Sequence, residues 1–305
     1  LSDHFPARST WVGIHANAQR LSGQTEQNGI YLGADDRLYV APSPFDIRVL
    51  DRNSNAIGDF IDKHALNAYY LIIPSVGYLD EQGLPKLHAP YRDAEMLSRI
   101  RDNLPQATAI TPDLNASHFY RTDHHWTSAG AYQAYLACAA ALGFTPLDSD
   151  VFTKESIDGF YGTSYAKAGV WSLPPDRLEL WHSDTPLTVE IQDDAMLTPN
   201  VYESVFFRDA LHTMDKYTVY LDGNHARVRI LNQSCQGKLL VIKDSFAQTL
   251  VPFLAEHYGQ IDMIDLRHFR RQSVSDYLRQ EGYTDVLFIY GIDTVASSND
   301  LLWLQ

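Results

Sequence analysis

Cysteine is nearly absent from this chain: its 305 residues include only Cys138 and Cys235. A four-cysteine zinc site is thereby excluded. Cys138 lies in AYLACAAAL, an Ala-rich helical pattern where a small buried thiol is expected. Cys235 lies in the turn-like NQSCQGK. Two thiols decide neither a disulfide between them nor a redox compartment. Basic residues are the second shortage, with 24 Lys+Arg against 38 Asp+Glu and a formal net charge of -14. An acidic surface repels phosphate backbones and anionic lipid, which argues against nucleic acid as a partner. There is no run of Lys or Arg, no internal repeat, no HExxH, and no apolar stretch of membrane-spanning length. No signal peptide is visible, and the chain starts at Leu1 without an initiating Met. The expectation is that an upstream anchor or signal peptide has been removed.

What is present is an ordinary globular composition, 45% hydrophobic and 20% charged, enough for a sizeable core. NGIYLGADDRLYV reads as a β-hairpin and residues 46–66 as a helix. YYLIIPS is a short continuous apolar run, the pattern of a strand buried on both faces of a parallel sheet. DAEMLSRIRDNL reads as a helix and ATAITPDL as a weak strand. After HFYRTDHHW a helix is predicted from a Thr127 or Ser128 cap to the terminator Gly143. Residues 151–235 change texture: TPLTVEI, KYTVYLD and ARVRIL are strand-like pieces among Gly, Pro, Asp and Asn. GKLLVIKDSFAQTLVPFLAEHY then reads as strand, tight turn and helix. QIDMIDLRHF, SVSDYLRQEGY and TDVLFIYGIDTV follow as strand, helix and strand. This alternation predicts a parallel α/β sheet with helices on both faces. The chain is read as one domain, 1–305, with 151–235 an inserted β-rich subregion.

Ser245 follows a buried strand at the mouth of a helix, where open α/β sheets place their sites. There its backbone N–H and the helix N-terminus can stabilise an oxyanion; alone, it would equally serve as a helix cap. A serine nucleophile needs a base, and the base needs a partner that fixes its tautomer. Asp123 and His125, two apart in one loop, supply both, and Trp126 is placed as a wall of the site. Asp123, His124 and His125 are also metal-ligand types, and DHH begins a manganese phosphoesterase signature. Its Asp-rich companion motifs are missing, and adjacent histidines in an extended loop point apart. The site is therefore read as metal-free, with no cofactor. Arg267, at the end of the strand after Ser245, is placed to bind an anionic or oxygen-rich group. Gly291 ends the third strand, where its N–H can approach substrate. Tyr161, Ser164 and Tyr165 in GFYGTSYAKAG form a candidate substrate loop.

With Asp123-His124-His125-Trp126 and Lys243-Asp244-Ser245-Phe246 in hand, the chain resembles the DHHW family of bacterial exported proteins. NGIYLGADDRLY, IPS at 73–75, FYGTSYAKAG and DLRHF extend the resemblance over nearly the whole chain. Through that family it is similar to SGNH-hydrolase-like O-acetyltransferases that modify alginate and related polysaccharides. There too an Asp-x-His motif precedes the nucleophilic Ser, the reverse of ordinary SGNH order. The resemblance implies an SGNH-like, flavodoxin-like fold with Ser245 as nucleophile, His125 as base, Asp123 as its orienter and Arg267 near the site. It implies an esterase or O-acetyltransferase acting on acylated cell-surface or extracellular polysaccharide, served by a membrane acyl-donor protein. The setting it implies is extracytoplasmic and membrane-anchored. Two departures stand out: Gly291 where the family's oxyanion Asn is usual, and Lys243 where SGNH proteins have Gly before Asp-Ser. These keep open a non-catalytic glycan-binding or cell-envelope assembly protein.

Overall fold

A computed structural model describes residues 25–304. A small sheet comes first: β1 (Glu26–Gln27), β2 (Ile30–Leu32) and β3 (Leu38–Val40), paired antiparallel. Asn28 and Gly29 join β1 to β2 with φ of 49° and 75°. Both values are positive, as a two-residue turn that matches strand twist demands. The hairpin read from NGIYLGADDRLYV is β2–β3.

Next come α1 (Ile47–His64), β4 (Asn67–Ile73), the short α2 (Val76–Leu79), α3 (Asp93–Asn103) and β5 (Thr108–Ala109). The Asp46 side chain caps α1 by accepting from the Arg48 N–H. β5 keeps only two residues of ATAITPDL. Helix α4 (Ser128–Leu142) starts at Thr127, whose hydroxyl accepts from the Gly130 N–H, and stops at Gly143 with φ of 81°. The later elements are β6 (Thr153–Phe160), α5 (Thr163–Ala168), β7 (Asp176–His182), β8 (Thr188–Gln192) and β9 (Asn200–Tyr202). They continue as β10 (Arg227–Leu231), β11 (Lys238–Lys243), α6 (Ala247–Leu254), β12 (Gln260–Ile264), α7 (Val274–Glu281), β13 (Asp285–Gly291) and α8 (Ile292–Ser297). None of the described helices is long and apolar enough to cross a membrane.

The central sheet has the order β5-β4-β13-β11-β12-β10-β8-β9. Its first five strands are mutually parallel, and β4, β13, β11 and β12 carry the continuous apolar runs typical of strands buried on both faces. Side-chain alternation splits the core in two. Leu239 and Val241 of β11 face α4 and α6, whereas Leu240 and Ile242 face α1, α3 and α7. Helices thus cover both faces, giving the SGNH-like α/β architecture. The sheet as a whole is mixed, because β10, β8 and β9 extend it antiparallel beyond β12. These strands come from 151–235, while β6 and β7 of the same region form a separate antiparallel ribbon. One strand-like piece there departs from the expectation. KYTVYLD forms a 3-10 turn, Lys216–Val219, with a single bridge from Phe206 to Tyr220. Within this turn Tyr217 points inward and its hydroxyl meets the Thr249 hydroxyl at 2.6 Å. Both cysteines are free thiols.

Candidate active site

The last residue of β11 is buried Lys243, and the chain turns sharply through Asp244, Ser245 and Phe246 into α6. Asp244 holds this turn. Its N–H donates to the Ile289 carbonyl at 3.0 Å, and its Oδ1 accepts from the Phe246 N–H at 3.0 Å. Its Oδ2 accepts from the Gly291 N–H and the Thr294 hydroxyl, each at 2.8 Å. The Asp of the Lys-Asp-Ser-Phe motif therefore bolts the nucleophile turn to the end of β13. Ser245 itself is part-exposed.

DHHW lies at the tip of a small loop closed by a bridge between Phe119 and Trp126. Asp123 curls the tip: its Oδ1 accepts from the N–H of His125, two residues on, at 2.9 Å. The same oxygen takes His125 Nδ1 at 2.5 Å, and Nε2 of that ring meets Ser245 Oγ at 2.7 Å. Asp123 Oδ2 accepts from the Thr163 N–H at 2.6 Å and the Thr163 hydroxyl at 2.9 Å. Asp123, His125 and Ser245 thus form one hydrogen-bonded line across 120 residues of sequence. Burial would raise the Asp123 carboxyl, but His125 and His124 beside it outweigh that. The group is held well below the usual carboxylate range, so it is ionised.

This geometry corrects the expected splaying of His124 and His125. The Asp123 curl places both rings on one side, 3.8 Å apart between centroids. The donor atoms of Asp123, His124 and His125 lie within 4.8 Å of one another. An ion there would have to replace the hydrogen bonds that join Asp123, His125 and Ser245. His124 Nδ1 is bound to the Thr163 hydroxyl at 2.9 Å, and burial and then His125 push its pKa down. A neutral His124 cannot repel a proton arriving on His125.

Four sequence-assigned substrate residues take other work. Trp126 is fully buried, so it cannot wall a substrate. Its Nε1–H donates to the Phe246 carbonyl at 3.1 Å and its ring meets Phe246 edge-on, fastening the His loop beneath the nucleophile turn. The Gly291 N–H is spent on Asp244, and a Cβ there would meet Phe246 Cε2 at 2.8 Å. Gly291 is thus a close-packing glycine and offers substrate no free donor. Tyr165 packs against the β2–β3 core and against Tyr161, whose hydroxyl donates to the Leu173 carbonyl at 3.1 Å. No contact of either with Ser245 or His125 is seen; Ser164 is buried on the same turn.

Arg267 follows β12, the strand next to β11. Its Nε donates to Asp265 Oδ1 at 2.8 Å and its second guanidinium nitrogen to Oδ2 at 2.5 Å. Asp265 also takes buried Lys243 at 3.3 Å, and Lys243 reaches Asn224 at 2.8 Å. Lys243, at the position usual for Gly, therefore joins a charge cluster that bridges the ends of β11 and β12 beside the nucleophile turn. The Arg267 side chain remains 38% exposed.

Three contributors escaped sequence reasoning. Tyr217 stacks on His125 with centroids 4.0 Å apart and planes at 10°. Thr163 anchors Asp123. Gly162 lets it do so, because a Cβ there would meet Asp123 at 2.2 Å. Thr163 and Gly162 lie inside the FYGTSYAKAG motif, which in sequence reads as a substrate loop through Tyr161, Ser164 and Tyr165, whereas its neighbours Gly162 and Thr163 anchor Asp123. Tyr217 carried no signal, since its loop reads as a strand.

A search of curated proteins returns no significant match. Among solved structures, a DHHW family protein from Eubacterium siraeum is similar at 22% identity with TM-score 0.75, covering 91% of this chain and 95% of that one. Bacillus cereus PatB1, solved with a sulfonyl adduct, is similar at 19% identity with TM-score 0.76, covering 90% and 98%. The O-acetyltransferase domain of Pseudomonas putida AlgJ is similar at 17% identity with TM-score 0.53, covering 90% and 94%. These likenesses show the fold. The family model for DHHW protein matches residues 106–264, which hold both the Asp123–Trp126 loop and the Ser245 turn. This chain belongs to the DHHW protein family.

Proposed function

We propose that the protein is a serine-dependent esterase or O-acetyltransferase acting on acylated cell-surface or extracellular polysaccharide. One observation carries the reading: Ser245 Oγ lies 2.7 Å from His125 Nε2, while Asp123 holds the ring's other nitrogen at 2.5 Å. That is the geometry in which an imidazole takes a hydroxyl proton and a carboxylate steadies the imidazolium.

In the first half-reaction Ser245 Oγ attacks the ester carbonyl and its proton passes to His125 Nε2. The Ser245 N–H lies at the mouth of α6, where an oxyanion would form. The tetrahedral intermediate breaks its bond to the leaving alcohol oxygen, which takes the proton back from His125. An acyl-serine remains. Water or a sugar hydroxyl then attacks it, giving up its proton to His125; the acyl–Oγ bond breaks, Ser245 Oγ takes that proton back, and the free acid or the acylated sugar leaves. Water makes the enzyme an esterase; a sugar hydroxyl makes it a transferase.

Similarity to an O-acetyltransferase domain supports the transferase branch. On this reading the protein acts on a polysaccharide acceptor outside the cytoplasm and receives its acyl group from a membrane acyl-donor protein. The test uses p-nitrophenyl acetate turnover and labelling by a sulfonyl fluoride, the adduct type recorded for PatB1. Turnover and labelling in the unaltered protein, both lost in Ser245→Ala, are expected. Neither signal exceeding that of Ser245→Ala would sink the reading and favour a glycan-binding protein.

A further inference from the structure

The tetrahedral intermediate of acyl transfer carries a full negative charge on the former carbonyl oxygen, and N–H donors aimed at that oxygen lower its energy. The turn after β11 supplies the Ser245 N–H at the mouth of α6. The end of β13 supplies nothing through Gly291, whose N–H is spent on Asp244. A second donor must come from another element.

The segment from Tyr217 to Asn224 wraps the first turn of α6. At one end the Tyr217 ring stacks on His125 and its hydroxyl meets Thr249 at 2.6 Å. At the other end buried Gln248 donates from Nε2 to the Gly223 carbonyl and, at 3.2 Å, to Asn224 Oδ1. The Gln248 N–H bonds the Ser245 carbonyl at 3.3 Å, so Asn224 is tied one helical turn from the nucleophile. Buried Lys243, two residues before Ser245, gives Asn224 Oδ1 a second bond at 2.8 Å. Asn224 stands just before β10, and β12 separates β10 from β11. Its side chain therefore reaches back over the end of β12 towards the nucleophile turn.

These partners fix which way the amide faces. Lys243 Nζ has only hydrogens to offer, and Gln248 must present its Nε2 to the Gly223 carbonyl. The inward atom of Asn224 is therefore its oxygen, which turns Nδ2 and its two hydrogens outward on an exposed residue. No partner of Nδ2 is seen among the described residues. The backbone just before it is strained. Leu221, Asp222 and Gly223 have φ of 56°, 58° and 82°, and two of these three are not glycine. Such strain persists where surrounding contacts over-determine it, typically at functional sites. Here the Leu221 N–H bonds the Val205 carbonyl at 2.9 Å, the Leu221 side chain is fully buried, and Gln248 holds Gly223.

We propose that Asn224 is a catalytic residue whose Nδ2–H binds the oxyanion beside the Ser245 N–H, with Lys243 as the positioning residue that holds its amide. The proposal rests on the acyl-transfer reading above. As Ser245 Oγ bonds the carbonyl carbon, the π pair moves onto oxygen, where the two N–H groups meet it. The pair returns to the carbon–oxygen bond as the alcohol leaves. Lys243, ion-paired with Asp265 at 3.3 Å, also polarises the Asn224 amide and makes its N–H a stronger donor.

The experiment is p-nitrophenyl acetate kinetics, thermal melts and phenylboronic acid inhibition of the whole protein and of Asn224→Ala, Asn224→Asp, Lys243→Met and the Asn224→Ala/Lys243→Met double variant. The boronic acid forms a tetrahedral adduct on serine and so reads the oxyanion donors directly. Both Asn224 variants should lower kcat by about 10²–10³-fold with KM almost unchanged, and should weaken the boronic acid at least about tenfold. Asn224→Asp keeps the shape and the Lys243 contact, so it separates the lost donor from lost packing. Lys243→Met should lower kcat in the unaltered background and add nothing in Asn224→Ala. Asn224 is exposed, so its variants read the site even where Lys243→Met unfolds. Full turnover in Asn224→Asp, a loss confined to KM, unchanged boronic acid inhibition, or additive losses in the double variant would overturn the proposal. Absence of turnover in the unaltered protein removes the Ser245 reading and this one with it, whereas turnover that survives Asn224→Ala removes only this one.

Discussion

The imidazole of His125 lies flat on the phenol ring of Tyr217, with centroids 4.0 Å apart and planes at 10°. The Tyr217 hydroxyl is tied to Thr249 on α6 at 2.6 Å. The ring therefore spans from the helix behind Ser245 to the face of the base, and limits the base to in-plane adjustment. Tyr217→Phe keeps the stack and loses one hydrogen bond, for a cost of about 1 kcal/mol. Tyr217→Ala also removes the face, with a loss of roughly 3–5 kcal/mol. Esterase kcat should survive the first change and fall steeply in the second, as read by thermal melts and p-nitrophenyl acetate kinetics.

Asp123 carries a pH signature. Its folded pKa is depressed, so the ionised carboxylate favours the native state. That stability is fully present above the unfolded carboxylate value of about 4 and is lost as pH falls toward the folded pKa. Asp123→Asn removes it. The Tm gap between the unaltered protein and Asp123→Asn should be widest near neutral pH and shrink below about pH 4. The same variant should lower kcat by on the order of 10⁴, because His125 loses its orienting carboxylate.

Gly162 is a steric requirement of the same carboxylate. A Cβ at 162 would overlap Asp123 Oδ2 at 2.2 Å and push it off the Thr163 N–H and hydroxyl. Overpacking of this kind costs about 1–3 kcal/mol. Gly162→Ala should lower both Tm and kcat. Thr163→Val, which keeps the backbone bond and drops the hydroxyl, should produce a smaller fall in both.

Gly291 and Asp244 are expected to behave as one unit. Gly291→Ala drives a methyl group into Phe246, whereas Asp244→Ala orphans the buried Gly291 N–H and frees the nucleophile turn. Each should cost on the order of 1–3 kcal/mol. The double variant should cost less than the sum, since either change already breaks the contact between β13 and the turn. Thermal or denaturant melts of all three variants read this coupling. Strict additivity would mean that Gly291 does not hold the turn.

Much of this protein is decided locally. The apolar runs at 67–73, 238–243, 260–264 and 285–291 are strands because only a two-faced burial accommodates them. Thr127 and Gly143 bound their helix by side-chain capping and a left-handed backbone. Asp-His-His-Trp and Asp-Ser-Phe were legible as chemistry because a hydroxyl, an imidazole and a carboxylate are mutually useful. Only the folded chain could decide which neighbour each polar group would find. Trp126 stands beside His125 in sequence, yet packing turned it beneath the site, and Gly291, at the end of β13, has its N–H spent on Asp244. Tyr217 and Thr163 lie tens of residues from either motif, and sheet closure alone brought them in. The antiparallel pairing of β8, β9 and β10 onto the parallel sheet was likewise a matter of tertiary structure, because period and propensity make a strand without choosing its partner.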